Sequence, residues 1–192
     1  MNFNLFNLFK QKRRHKKKDE STLCLVLDSV EKLTSHATKL VFQQPEVPLY
    51  YEPGQFLTII DEVAGKKLRR AYSLCSSPYL NEPLAVVVKR VAGGKMSNHI
   101  NDHYKPGMQV EVMPPAGSFT TNYEKSQKRE LFFIGGGSGI TPLFSILKTV
   151  LQQEPKSSIT LIYGNRDVDS IIFKDELNHW REKIISLASY IF

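Results

Sequence analysis

The sequence is poor in cysteine. Only Cys24 and Cys75 occur in 192 residues, far apart and in no CxxC spacing. That excludes a cysteine-ligated iron–sulfur cluster within the chain, and two separate thiols fit a reducing, cytoplasmic setting. Acidic residues are missing altogether from residues 1–18, where KQKRRHKKK (10–18) holds seven of the 26 lysines and arginines. From residue 19 onward the 19 remaining bases face 19 acids, so the formal charge of +7 belongs to one tail and the body is neutral. A signal peptide is absent too: the apolar residues of MNFNLFNLF precede the basic run, the reverse of the secretory order. Nine residues are also too few to span a bilayer.

The tail, residues 1–20, reads as a disordered leader. Its apolar and polybasic halves leave open an interfacial anchor on an anionic membrane surface through residues 1–18. Nucleic acid is not the expected partner, because no aromatic and basic interleaving continues into the folded part. With 41% hydrophobic and 10% aromatic residues, the rest has the composition of a globular protein with a real core.

Short strands are expected from about 22 to 119: TLCLVLDSV (22–30), ATKLVFQ (37–43), GQFLTII (54–60), RAYSLCS (70–76), PLAVVVKRV (83–91) and QVEVMPP (109–115). Six strands at this spacing predict a small all-β antiparallel barrel or sandwich, interrupted by one helix over 96–104. After Lys128 the pattern changes. ELFFIGGGSGITPLFSILKTVLQQ reads as an apolar strand, a glycine-rich turn and a helix with Leu143, Ile146, Leu147 and Val150 on one face. A strand at 158–164, a helix from about 170 to 183 and the start of a third strand in IISLASYIF complete a partial α/β parallel-sheet unit. The expected division is 21–125 and 126–192. The second part has room for about two strand–helix pairs where a doubly wound nucleotide-binding domain uses about five or six strands. It therefore reads as incomplete, with an exposed apolar edge prone to dimerisation or aggregation.

Three stretches carry chemistry. IGGGSGITP (134–142) follows a strand and opens a helix, the setting in which glycines admit a pyrophosphate to free N–H groups. Its spacing is not GxGxxG, and a plain strand–helix turn would need only one or two glycines rather than Gly135, Gly136, Gly137 and Gly139. In RRAYSLCSSP (69–78), Arg70 offers a planar fork for phosphate oxygens, Tyr72 a flat ring and Ser73 a small hydroxyl. Alternation sets Arg70 and Tyr72 on one strand face. By strand geometry alone, a barrel strand with an exposed arginine fits equally well. VKRVAGGKMSNHI (88–100) supplies a second helix start at Gly94, Lys95, Met96 and Ser97, hence a second anion site. His99 and His103, with Asp102 beside them, have metal-pair spacing but no evident third ligand, and read as polar helix surface. Cys75 reads as a buried small residue.

Arg70-Ala71-Tyr72-Ser73, Gly94-Lys95-Met96-Ser97, Gly135 to Pro142 and Tyr163-Gly164-Asn165-Arg166 occur in that order. In this the chain resembles the ferredoxin–NADP reductase family, above all reductase components of bacterial oxygenases of the phenylacetate-degradation type, over about residues 22–185. The resemblance implies an NAD(P)H-dependent flavoprotein reductase, with FAD and either NADPH or NADH as cofactors and a ferredoxin domain or oxygenase as electron acceptor. It assigns Arg70 to the FAD pyrophosphate, Tyr72 to the isoalloxazine and Ser73 to flavin N5, the two last being the residues at the reacting ring. Val88 and Lys89 meet the flavin nucleotide through their backbone, and Gly94, Lys95, Met96 and Ser97 cap its pyrophosphate. Gly136, Gly137, Ser138, Gly139, Ile140, Thr141 and Pro142 take the nicotinamide dinucleotide, with Thr141 between the cofactors. Asn165 and Arg166 read the adenosine ribose, where a basic residue favours NADPH and the nearby Asp167 and Asp169 oppose it. The family's later Cys-Gly-Pro segment and its four-cysteine ferredoxin domain do not occur here. Two other expectations therefore stand beside the reductase: a non-catalytic flavin-binding fragment, and a membrane-surface electron-transfer component held by the tail.

Overall fold

The computed structural model describes residues 22–180 in full and residues 186–191 by their backbone. The leader expected over 1–20, with its surface-anchor alternative, lies outside the described residues. Six antiparallel strands form the first lobe: β1 (Leu23–Thr34), β2 (Ala37–Phe42), β3 (Phe56–Val63), β4 (Lys66–Ser73), β5 (Ala85–Lys89) and β6 (Gln109–Ala116), in the order β4-β3-β6-β1-β2-β5. The sheet curls until Leu74, just past β4, bridges Val86 of β5, so the two edges meet and the lobe is a small barrel, as the strand spacing predicts. One helix, α1 (Lys95–His103), follows β5.

The second lobe is a parallel sheet, β7 (Glu130–Gly136), β8 (Ser158–Asn165) and β9 (Ser186–Ile191), in that order. Helix α2 (Ile140–Gln153) lies between β7 and β8, and α3 (Lys174–Trp180) follows β8. IISLASYIF thus does supply a third strand.

Two boundaries differ instructively from the sequence pattern. β3 and β4 are longer than expected because they form one hairpin, turning at Ala64 and Gly65 with φ of 51° and 70°. An alanine in the left-handed region lacks the Asn-Gly signature of such turns, so the sequence did not announce it. The helix expected from 170 begins at Lys174 instead. Asp167 and Ser170 close a reciprocal capping box around a separate 3₁₀ turn, Val168–Ser170, and Phe173 takes φ 63°. The expected residues 181–183 lie outside the described residues.

Packing explains why the lobes abut. Along β5 every residue from Ala85 to Val88 is buried. Val86 and Val88 point into the barrel core with Leu27, Leu40, Leu57 and Ile59. Ala85 and Val87 point the other way, into a second core with Ala37, Val41 and Cys75 of the barrel and Phe144, Leu147, Ile159 and Leu161 of the α/β lobe. A strand buried on both faces reads as a continuous apolar run, which AVVV is. Where the connecting segment reaches β7, Arg129 donates Nε to Glu154 Oε2 (3.0 Å) and Nη1 to Thr121 Oγ1 (3.1 Å). Glu154 is fully buried there and accepts from Ser157 as well. On the other face of the parallel sheet, Phe132 and Ile134 of β7 are 66% and 73% exposed. Among the described residues no helix is long and apolar enough to cross a membrane.

Candidate functional site

β4 faces a cleft: Leu68, Arg70 and Tyr72 line it, while Leu68 and Tyr72 also rest against the barrel core. β4 and β5 end the sheet, and the Leu74–Val86 bridge sets them side by side, with α1 following β5. The cleft, about 600 Å³, is walled by Arg70, Tyr72 and Ser73 on one side and by Gly94, Lys95, Met96 and Ser97 on the other. Ser138 and Thr141 of the second lobe close it. One cavity therefore gathers three of the motifs singled out in the sequence, from both lobes, within the size range of nucleotide and cofactor sites.

The chemistry of the lining suits a phosphorylated aromatic ligand. Gly94 stands at the N-terminus of α1, and no side chain caps that turn. Its first N–H groups and the positive dipole end are thus left for an anion. Gly94 is also required by packing, since a side-chain carbon there would lie 2.5 Å from Ser97 Oγ and 3.0 Å from Val91 O. Ser97 itself is 8% exposed and accepts from Val91 N at 3.3 Å. Arg70 is exposed and donates Nη1 to Arg69 O at 2.7 Å. Burial pushes the Tyr72 phenol up to about 12, against the opposing pull of Arg70, so it stays neutral at physiological pH.

A second cleft, about 860 Å³, runs over the C-terminal ends of β7 and β8. Gly136, Gly137 and Ser138 line it with Asn165 and Arg166. This is the end of a parallel sheet where ligands bind in such folds. The glycine turn is a 3₁₀ turn, Gly137–Gly139, leading into α2, again without a side-chain cap. A side chain added at Gly139 would meet nothing within 4 Å. Tyr163 supports the turn from below, donating its hydroxyl to Gly137 O at 2.8 Å. Asn165 is 6% exposed, and among the described residues neither of its amide atoms finds a hydrogen-bond partner of good geometry, although the Tyr163 hydroxyl lies close enough to interact. Buried orphan amides of this kind are costly unless something occupies them. Both clefts therefore fit the dinucleotides that the motifs imply.

Not every expected residue lines a cleft. Val88 is fully buried in the barrel core, and its carbonyl accepts from Asn101 Nδ2 at 3.1 Å. Ile140 belongs to the second core, and Gly139 and Pro142 line neither cavity. Lys89 does more than its backbone role suggests: its side chain lines both clefts, and its Nζ would be 3.2 Å from a side-chain carbon at Gly137. Leu68, just outside the Arg70 stretch, and Val91, inside the 88–100 stretch but given no role there, also line the first cleft. His99 and His103 stack at 4.6 Å, His99 Nε2 lies 3.2 Å from Asp61 Oδ2, and Arg90 pairs with Asp102. Among the described residues no group of three or more potential ligands gathers around them. Cys75 is 2% exposed and burial pushes its thiol up to about 12, the behaviour of a packing residue.

A barrel with an anion-ready strand and helix terminus, closed by a parallel sheet with a glycine turn, defines the ferredoxin–NADP reductase-like class of fold. Within that class the chain belongs to the oxidoreductases built from an FAD-binding domain, matched over residues 24–121, and an NAD-binding domain, matched over 133–189. FAD and a pyridine nucleotide are the cofactors of these two domains. The chain is 39% identical over 163 residues to one component of the 1,2-phenylacetyl-CoA epoxidase of Escherichia coli (strain K12), covering 83% of this chain and 45% of that protein. It is 39% identical over 179 residues to the ferredoxin reductase component of 3-ketosteroid-9-alpha-monooxygenase of Mycobacterium tuberculosis, covering 81% and 49%. The fold superposes on phthalate dioxygenase reductase with a TM-score of 0.75 at 28% identity, over 89% of this chain and 52% of that one. Ferredoxin-NADP+ reductase from Plasmodium falciparum gives a TM-score of 0.78 at 21% identity, over 89% and 74%. The chain spans about half the length of the curated relatives it matches.

Proposed function

We propose that the chain is an NAD(P)H-dependent flavoprotein reductase acting from the cytoplasm and passing electrons to a ferredoxin domain or an oxygenase. In this reading residues 21–125 hold FAD and 126–192 hold the nicotinamide dinucleotide. The observation that carries it is the single cleft lined by Arg70, Tyr72, Ser73 and the start of α1 together with Ser138 and Thr141. Walls from both lobes would let a flavin held by the first be reached by a nucleotide held by the second.

Bound FAD supplies the redox chemistry, accepting hydride and releasing electrons singly. The chain's own residues orient it. Arg70 and the free N–H groups of α1 hold the pyrophosphate, Tyr72 presents a neutral ring to the isoalloxazine, and Ser73 offers its hydroxyl at N5. Lys89 places a positive charge where the two clefts meet. The turn Gly136–Gly139 lets backbone approach the second pyrophosphate, and Asn165 and Arg166 read the adenosine ribose.

NADPH is the expected donor. Asp167, which would repel a 2′-phosphate, has Oδ1 engaged by Ser170 N at 2.7 Å, whereas Arg166 is exposed. Arg166→Gln should narrow the preference for NADPH over NADH by about tenfold, a loss of about 1.4 kcal/mol.

The test is spectroscopic. The chain reconstituted with FAD should show bound-flavin absorbance that bleaches on anaerobic addition of NADPH. Flavin that binds but does not bleach with either nucleotide would make this a non-catalytic flavin-binding module. Failure to bind FAD would sink the assignment.

A further inference from the structure

Helix α2 is buried almost all round, yet it is not apolar all round. Thr141, Ser145, Lys148 and Thr149 stand at i, i+4, i+7 and i+8, one stripe along the helix. That stripe faces the segment following β4. Ser145 Oγ donates to Ser76 O at 2.6 Å, and Ser77 Oγ meets Thr149 Oγ1 at 2.7 Å. Thr149 Oγ1 in turn donates to Ser145 O at 2.7 Å, which makes Ser77 the donor to Thr149. Lys148 Nζ pairs with Glu82 Oε1 at 2.5 Å, the same oxygen that accepts from Ser77 N at 2.6 Å. Ser77, Ser145 and Thr149 are fully buried and Ser76 is 1% exposed.

Side chains of alanine or valine would hold two lobes together with less desolvation. They would not fix how far the helix slides along the strand, because apolar contact is non-directional. A hydrogen bond weakens steeply once its geometry is lost. The position at which α2 is fixed matters for what lies one turn earlier. Thr141, about 6 Å up the helix from Ser145, lines the cleft together with Tyr72 and Ser73. Ser73 lies three residues before Ser76 on the facing segment.

We infer that Ser145, Thr149 and Ser77 are positioning residues: their hydrogen bonds set the register of α2 against the end of β4, and thereby the offset between nicotinamide and flavin. The inference rests on the reductase reading given above. None of the three lines either cleft, so they act on the reaction only through Thr141 and the glycine turn.

The experiment compares Thr149→Val, which removes the hydroxyl at nearly constant shape, with Thr149→Ser, which keeps it, and with Ser145→Ala. For each FAD-loaded full chain, the dissociation constant for the oxidised nicotinamide nucleotide and the single-turnover rate of flavin bleaching by NADPH are measured. Thr149→Val and Ser145→Ala should keep the dissociation constant within about twofold while the bleaching rate falls about tenfold or more, and Thr149→Ser should stay near the parent. A fall in melting temperature with an unchanged bleaching rate would reduce these residues to structural bonds and overturn the inference. So would loss of FAD binding by both Thr149→Val and Ser145→Ala, since the seam would then be needed for folding. If the parent chain does not bleach, the reductase reading fails and takes the inference with it. If the parent bleaches and the variants match it, the inference alone fails.

Discussion

The two glycine turns look alike in sequence and differ in what makes glycine necessary. At the first, the protein itself excludes a side chain: a carbon on Gly94 would strike Ser97 Oγ and the carbonyl of Val91. At the second, the space beside Gly139 is open and no packing within the chain calls for it to be empty. Packing within the fold accounts for the first glycine; for the second, which lines neither cleft, it does not. A glycine count alone merges these two causes, and only the surroundings separate them.

The largest effect is expected at the first turn. Gly94→Ala should destabilise the chain by about 1–3 kcal/mol through overpacking, seen as a lower melting temperature, and should weaken FAD binding at the same time. Unchanged melting would mean that α1 can shift at no cost and that the contrast with Gly139 is false. At the second turn, Gly139→Ala should leave stability within about 0.5 kcal/mol, since its φ of −64° and ψ of −13° suit alanine. The KM for NADPH should nevertheless rise about tenfold, with the flavin spectrum untouched. A normal KM would show that the turn does not approach the nucleotide.

The smallest effect concerns two phenols, the half-buried Tyr72 of the first cleft and the buried Tyr163 under the second turn. Burial pushes both Tyr72, in the first cleft, and Tyr163, under the second turn, up to about 12 from an ordinary 10.0, and Cys75 behaves similarly from 9.0. Each group favours its protonated form in the folded chain. Their contribution to stability is therefore complete below about pH 9 and is lost as pH rises toward 12. Chemical denaturation across pH 7 to 11 should show a flat stability that falls only above about pH 9. Tyr163→Phe, leaving Tyr72 in place, should make that fall shallower.

Much of the site was legible because its signals are local. Glycine runs at strand–helix junctions stand out within a few residues, whereas Arg70-Ala71-Tyr72-Ser73 is ambiguous alone and gains meaning only beside them. The barrel and the parallel unit followed from alternation and from the change of period after Lys128. What escaped depends on directions that a linear pattern does not carry. Ile140 sits inside a binding motif, yet its side chain points into a core. Val88, expected to act through its backbone, points its side chain into the other core, while Leu68, Val91 and the Lys89 side chain reach the clefts. The polar stripe of α2 was hidden for a related reason. Leu143, Ile146, Leu147 and Val150 mark the face against the sheet, so periodicity predicts the opposite face as solvent. It is the barrel that covers it.

The double burial of β5 has a consequence for how the molecule comes apart. Its alternate side chains belong to two cores, so neither lobe can lose its interior without stripping one face of a strand the other needs. A barrel cut free near residue 125 would carry Ala37, Val41, Cys75, Ala85 and Val87 into water as a bare apolar strip. The two lobes should accordingly melt in a single transition, and the chain should resist division into halves by protease, although its sequence reads as two separate nucleotide-binding modules.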